Sequence, residues 1–304
     1  MVVATGFFDG VHLGHRHVIG QLVRLSRDRG EESVVVTFWP HPRNVLQDDA
    51  RSLRLLTSLD EKKALLEGLG VDRVEVVRFT RTFSRLTAEA YLREYVIGRF
   101  GGTAILIGYD NRLGSDLLAP DRIEEVARGL GLDVLRADPI TLCPSGSAGE
   151  SSAISSTKIR AALSGGDVES AARMLGSRYR LHGVVVAGNR LGRRLGFPTA
   201  NMQLYEPLKL VPGNGVYQVD VETLGRRLKG MCNIGVRPTV GSGGTRTIET
   251  HIFDFDEDIY GLDIRVTFLR RIREERRFAS LDELKAQLRE DEKTCREACT
   301  EDRF

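Results

Sequence analysis

Little in this chain points to a membrane, a disulfide scaffold or a polyanionic partner. The four cysteines among 304 residues, Cys143, Cys232, Cys295 and Cys299, are scattered, and none forms a Cys-x-x-Cys pair or stands near histidines at metal-ligand spacing. They read as reduced thiols. Cys295 and Cys299 lie four apart on an expected terminal helix, where two sulfurs make half a zinc site against the simpler reading of a helix face. No apolar run approaches the ~20 residues needed to cross a bilayer. The first residues, Met1-Val2-Val3-Ala4-Thr5, carry neither a basic region nor a small-residue cleavage site, so they read as a strand, and a cytoplasmic location is expected. A net charge of +2 gives no electrostatic footprint for nucleic acid, so any anionic ligand is expected to be small. No internal repeat is visible.

What is present is an ordinary globular composition, 41% hydrophobic and 28% charged, on a chain long enough for two cores. From residue 1 to about 178, short β-rich runs (Val2–Thr5, Ser33–Phe38, Arg73–Val77, Thr103–Ile107) alternate with helical stretches near His15–Arg29, Glu61–Leu69, Ala88–Phe100 and Asp121–Leu130. That alternation predicts a parallel sheet covered by helices, an α/β unit. Cys143–Gly149 reads as a surface loop, and a helical pair, Ser155–Ser164 and Asp167–Leu175, follows. From residue 181 to 304 the pattern changes to β-runs at Gly183–Ala187, Gly215–Thr223, Arg226–Ile234, Thr247–Asp254 and Asp263–Leu269, joined by glycine-containing turns. A small antiparallel barrel is expected, closed by a helix whose Ser280-x-x-Glu283 start is a capping box.

Chemistry concentrates in each half. Gly6-Phe7-Phe8-Asp9-Gly10-Val11-His12-Leu13-Gly14-His15 joins a strand end to a helix start: glycines allow close backbone approach, free N–H groups and the helix dipole attract phosphate, and two imidazoles can meet charge developing at an α-phosphorus. Alone, two histidines could equally be polar turn residues. Ser155-Ser156-Thr157-Lys158-Ile159-Arg160 opens another helix and is either a second anion cradle or a hydroxyl cap with a solvated basic face. In the second half, Gly188-Asn189-Arg190-Leu191-Gly192-Arg193-Arg194 precedes Leu195-Gly196-Phe197-Pro198-Thr199-Ala200-Asn201. Glycines and cations there can wrap nucleotide phosphates, and the oxygens of Thr199 and Asn201, two apart on an extended chain, suit a hard cation such as Mg²⁺. Asp254, Asp256, Glu257 and Asp258 read as a solvated loop lacking a calcium-loop spacing, and the arginines from Arg270 to Arg277 as a charged strand end, although one could touch a ligand.

Taken together, these motifs resemble the bifunctional riboflavin kinase/FMN adenylyltransferase family, and the resemblance covers nearly the whole chain. The histidine motif paired with Ser156-Thr157-x-x-Arg160 is similar to the two-part phosphate clamp of nucleotidylyltransferases. Thr37-Phe38-Trp39-Pro40-His41-Pro42 and Gly108-Tyr109-Asp110-Asn111-Arg112-Leu113-Gly114 resemble the adenylyltransferase branch, with Asn111 and Leu113 replacing two aromatic positions. Phe197–Asn201, Asn233-Ile234-Gly235-Val236-Arg237-Pro238-Thr239 and Glu249-Thr250-His251-Ile252-Phe253 resemble riboflavin kinase motifs in their usual order. The resemblance implies a Rossmann-like nucleotidylyltransferase domain at 1–178 and a riboflavin kinase-like barrel at 181–304. It implies His12, His15 and Arg160 as catalytic, with Gly6, Phe7, Asp9, Gly14, Ser156 and Thr157 on ATP and His41, Asp110 and Arg112 near flavin; His41 also reads as a turn residue between prolines. For the kinase it implies Glu249 as proton acceptor for the ribityl alcohol, Gly188, Arg193, Gly196 and Pro198 on ATP, and Thr199 with Asn201 on Mg²⁺. Riboflavin, FMN and ATP are the expected partners, with no nucleic acid or membrane, and the oligomeric state stays open. A kinase with an impaired first domain, or a binder without turnover, are the alternatives.

Overall fold

The computed structural model describes residues 1–46, 53–108, 112–137, 154–188, 191–237 and 245–298. Asp110, Asn111, the Cys143–Gly149 loop, Asn189, Arg190, Pro238, Thr239 and Cys299 lie outside them. The chain divides into two compact units, Met1–Ser156 and Thr157–Phe304.

The first unit runs β1 (Val2–Thr5), α1 (Leu13–Asp28), β2 (Ser33–Trp39), α2 (Pro42–Leu46), α3 (Leu59–Glu67), β3 (Arg73–Arg78), α4 (Ala88–Tyr91), β4 (Ala104–Ile107), α5 (Pro120–Gly129) and β5 (Asp133–Arg136). Its parallel sheet has the order β3-β2-β1-β4-β5. β1 is buried along its whole length because both faces are covered, and its pleat sends Val2 and Ala4 toward Ile19 and Leu22 of α1 and Val3 toward Leu92 and Val96 on the other side. α4 continues as a π-wound segment, Leu92–Arg99, where a plain helix over Ala88–Phe100 is expected from the sequence. The strand order reverses between β1 and β4, which opens a crevice at their C-terminal ends, where the loop Gly6–His12 lies.

The two edge strands are charged. Arg73 of β3 pairs with Glu75 at 2.7 Å, and on β5 Asp133 pairs with Arg29 at 2.7 Å while Arg136 pairs with Asp121 and Glu124 at 2.5 and 2.6 Å. β5 is a four-residue strand, Asp-Val-Leu-Arg, too short and too polar to announce itself in the sequence.

The second unit contains α6 (Ser156–Ser164) beyond its first residue, α7 (Val168–Leu175), β6 (Arg180–Val186), α8 (Leu191–Leu195), β7 (Ala200–Leu204), β8 (Gly215–Thr223), β9 (Arg226–Arg237), β10 (Thr245–Ile252), β11 (Asp263–Arg273) and α9 (Leu281–Ala298). Six antiparallel strands close into a barrel, β10-β7-β6-β11-β8-β9. Closure depends on β7, whose Ala-Asn-Met-Gln-Leu sequence lacks β-branched alternation and is held by its neighbours β6 and β10. β10 stops at Ile252, earlier than the sequence pattern suggests, and Asp254 turns the chain with φ +54°. The helical pair packs on the barrel: Gly213 N–H donates to Leu163 O at 2.7 Å, and Arg271 Nη1 donates to Gly165 O at 3.1 Å.

Strand β6 crosses β7 very closely at Gly183. A Cβ there would stand 2.2 Å from Gln203 O, a backbone atom in the ladder that cannot yield. Gly183→Ala is therefore expected to lower stability by on the order of 2–3 kcal/mol, measurable as a lowered midpoint in urea, with an unchanged midpoint sinking the packing account.

Candidate active sites

The first site is built on the loop between β1 and α1. Phe8, Gly10 and Val11 have φ of +47°, +83° and +40°, a left-handed stretch that only glycine adopts freely, so the surroundings must hold the other two. They do so through Asp9. Its buried carboxylate accepts from Leu56 N at 3.0 Å and from Thr57 N and Oγ1 at 3.1 and 3.2 Å, while Thr57 Oγ1 also accepts from Gly10 N at 3.1 Å. The carbonyl of Asp9 takes a hydrogen bond from Ser156 Oγ at 3.0 Å, which ties the first residue of α6 to this loop.

His12 caps α1. Its Nδ1 accepts from His15 N at 3.3 Å, so the ring is neutral with its proton on Nε2. The His15 ring stacks on it at 3.6 Å between centroids, and Phe8 closes edge-on against His15 at 5.3 Å. Burial pushes His12 down to about 4, and burial with the nearby His12 and Lys62 holds His15 well below the usual imidazole range. His15 Nδ1 is buried without a hydrogen-bond partner. A Cβ at Gly14 would stand 3.1 Å from the His12 ring and push on it, and at Gly6 a Cβ would meet the Phe8 ring at 2.9 Å.

Beside this loop, Phe7 is exposed and packs on Phe38, Phe79 and His41, with centroids 5.2, 6.1 and 5.4 Å away. His41 accepts from Arg43 N at 3.3 Å. Arg112 is exposed and donates to Leu117 O at 3.4 Å. Thr157 and Arg160 continue α6 after Ser156, exposed and half-buried respectively.

The second site lies on the barrel. Glu249 of β10 stands directly opposite Asn201 of β7 on one side and Asn233 of β9 on the other, so the pleat brings a carboxylate and two carboxamides into a row on one face. Gly188 comes close to this row: a Cβ there would be 2.3 Å from Asn201 Nδ2. Two residues along β10, buried His251 uses Nδ1 to hold Pro198 O at 2.8 Å, and its ring meets Phe197 and Phe253 edge-on. Phe197 is buried in a core with Met231, Phe253 and Cys295 of α9, which fixes the chain just before Thr199. Gly196 has φ +89°, ending α8 so that the chain can turn into the loop.

An open cleft of about 200 Å³ is lined by Arg193, Pro198, Thr199, Thr250, Phe255 and Tyr260 among others. Asp256, Glu257 and Asp258 are exposed and also line it. Asp254 instead forms a bidentate pair with Arg296 of α9 at 2.9 Å. The arginines at the end of β11 are structural: Arg273 binds the buried Asp291 at 2.7 Å, and Arg270 binds Gln218 at 2.9 Å.

Comparison with known proteins separates the two halves in the same order. The family model described as FAD synthetase matches residues 1–157, and the one described as riboflavin kinase matches residues 175–299. A bifunctional riboflavin kinase/FMN adenylyltransferase of Bacillus subtilis is 36% identical over 95% of this chain and 90% of its own length, and one of Escherichia coli K12 is 39% identical over 97% and 92%. The chain belongs to the bifunctional riboflavin kinase/FMN adenylyltransferase family. A crystal structure from Streptococcus pneumoniae, described as a macrolide-efflux protein, is 32% identical with a TM-score of 0.87 over 97% of this chain and 93% of that one. Among the described residues no helix is long and apolar enough to cross a membrane.

Sequence reasoning did not single out Lys62, Thr57, His251 or Asn233, which the structure places beside the candidate residues. Asn233 and His251 lie within motifs that the sequence does display, and Lys62 and Thr57 become visible only through their partners.

The His12 cap generates a pH prediction. Its native value of about 4 lies below the ordinary 6.5, so the unfolded chain binds more protons between those values and stability falls as pH drops through them. The loss amounts to about 3 kcal/mol for this group at one pKa unit per ~1.4 kcal/mol. Thermal melts of the chain from pH 7 to pH 4 should show the first unit weakening, less so in His12→Asn, which keeps a cap without a titrating ring. Equal acid sensitivity in both proteins would exclude His12 as the cause.

Proposed function

We propose that the chain makes FMN and then FAD: ATP phosphorylates riboflavin at the barrel site, and a second ATP adenylylates FMN at the sheet site with release of pyrophosphate. The observation that carries this reading is that each unit assembles its own reacting-centre residues, a stacked histidine pair at a helix start in one and the Asn201–Glu249–Asn233 row in the other. The division of labour follows the domains proposed at 1–178 and 181–304.

In the kinase step the ribityl oxygen attacks the γ-phosphorus of ATP and ADP departs. A primary alcohol is a weak nucleophile at neutral pH, so Glu249 orients it and takes its proton, from a strand that holds it rigidly. The oxygens of Thr199 and Asn201 fit Mg²⁺, a hard ion that needs only one or two protein ligands beside substrate phosphates, and only a residue without a Cβ lets the Gly188 backbone pass this close to Asn201. Bound there, Mg²⁺ would neutralise charge on the phosphates. Gly188, Arg193, Gly196 and Pro198 shape the nucleotide's path, and His251 fixes the Pro198 carbonyl next to Thr199.

In the adenylyl step the FMN phosphate is already anionic, so no base is required. Its oxygen attacks the α-phosphorus as the bond to pyrophosphate breaks. His12 and His15 supply ring N–H groups to the phosphates, and the unpaired His15 Nδ1 supports a polar ligand at that position. Ser156, which donates to the Asp9 carbonyl, serves ATP with Gly6, Phe7, Asp9 and Gly14; the family motif assigns Thr157 to ATP and Arg160 to catalysis, and His41, Asp110 and Arg112 to the flavin.

Glu249→Gln keeps shape but not basicity, so FMN formation should fall by about 10²- to 10⁴-fold in kcat while FAD formation from supplied FMN persists. Wild-type phosphorylation by this variant would assign the proton elsewhere. His12→Ala and His15→Ala should do the reverse, each lowering FAD formation by on the order of 10²-fold and sparing FMN formation. Chromatographic separation of the flavins reads both outcomes from one incubation, and full FAD synthesis by the double variant would remove the pair from the mechanism.

A further inference from the structure

We propose that Lys62 is a positioning residue of the adenylyl-transfer site, a buried ammonium that spans the gap between β1 and β2 and supplies fixed positive charge behind the loop Gly6–His15. This rests on the reading that adenylyl transfer takes place at that loop.

The sheet ladder between β1 and β2 continues as far as Gly6 N, which donates to Val36 O at 3.1 Å. Beyond it the strands part to form the crevice. Lys62 Nζ enters there from α3 and donates to Phe7 O, in the loop that leaves β1, at 3.1 Å and to Phe38 O of β2 at 3.4 Å, while Thr37 Oγ1 also donates to Phe7 O at 3.3 Å. The ammonium thus replaces ladder bonds that the splayed backbones can no longer make with each other. Lys62 is only 4% exposed, and the Trp39 ring lies 5.7 Å from its nitrogen.

Its placement is fixed by the same short segment that binds Asp9. Leu56 and Thr57 hold that carboxylate, Ser58 and Glu61 form a reciprocal capping box, and Lys62 follows on the first turn of α3. Residues 56–62 therefore grip the loop at Asp9 and at Phe7 together. A lysine that merely braced a loop would not need to be charged, since a neutral amine retains two N–H donors.

The surrounding charges give the ammonium a further effect. Asp9 favours its charged form, His12 and His15 face the same space from the start of α1, and Glu61 on its own helix is held by Ser58 N at 2.8 Å. Burial brings Lys62 down to about 8, and its charge helps to keep His15 neutral until an anion arrives. A cation fixed in a water-poor pocket beside a triphosphate acts without having to reorganise.

The test uses the full chain, with FMN and FAD formation followed together from pH 6.5 to 9.5. In the wild type, kcat/KM for FMN adenylylation should fall above about pH 8 as Lys62 loses its proton. Lys62→Met should lower that rate about 10- to 100-fold at pH 7, abolish the alkaline fall and leave FMN formation unchanged. Lys62→Arg, which stays charged, should recover part of the rate and hold it through pH 9.5. A wild-type profile flat from pH 7 to 9.5 overturns the proposal whether or not the variants fold, and so does a folded Lys62→Met with wild-type rate and profile. Absence of FAD formation from the wild type would instead sink the underlying reading of the loop.

Discussion

The first unit depends on a single buried carboxylate. Asp9 is taken out of water and must be satisfied by the protein, and among the groups that hold it are two backbone N–H groups and a hydroxyl 47 and 48 residues further along the chain. Because the carboxylate is held, the residues around it accept conformations that they would otherwise leave. Phe8 and Val11 stay in the left-handed region, which places His12 as cap and His15 against it. Loss of this anchor would release the loop and, with it, the register of both imidazoles against the helix axis.

The barrel solves a different problem. The groups proposed to react there, Glu249 and Asn201, sit on strands, and closure supplies the rigidity that the loop in the first unit obtains from Asp9. β7 contributes most although it is the weakest strand by composition: it completes the ring, and it brings Asn201 across from Glu249. The irregular chain leading into β7 is clamped from below by Phe197 in the core and from the side by His251 on Pro198. α9 strengthens the same region through Cys295 and through the pairing of Arg296 with Asp254, so the helix that ends the described fold stabilises the exit of the strand that carries Glu249.

Most of the architecture was legible in the sequence because it is written in local patterns. Val2–Thr5 and Ser33–Phe38 are mostly apolar, as parallel strands covered on both faces are, and the second half alternates between turns and β-runs. β5 and β7 escaped because one is four residues long and the other takes its strand character from its neighbours. Among the residues proposed for the two sites, His12, His15, Glu249 and Asn201 lie in compact motifs. Lys62 does not: within Leu-Asp-Glu-Lys-Lys-Ala-Leu-Leu-Glu it looks like any lysine on the wet face of an amphipathic helix, and only the parting of β1 and β2 reveals why it is buried. The role of Asp9 was hidden by the sequence distance between its carboxylate and Leu56. The acidic run after β10 proved divided, with Asp254 committed to Arg296 and the following three side chains at the cleft.

The two sheets also differ in what they offer to other chains. A closed barrel has no unpaired rim, whereas an open parallel sheet ends in two rows of free backbone groups that a stray strand can extend. In the first unit those rims are β3 and β5, and they carry Arg73, Glu75 and Arg78 on one side and Asp133 and Arg136 on the other, most of them tied into ion pairs. An incoming strand would have to strip water from these charges before gaining a hydrogen bond. The sheet that presents the histidine loop is thus kept at five strands, and a crowded solution of newly made chains meets charge where it would otherwise find a template for aggregation.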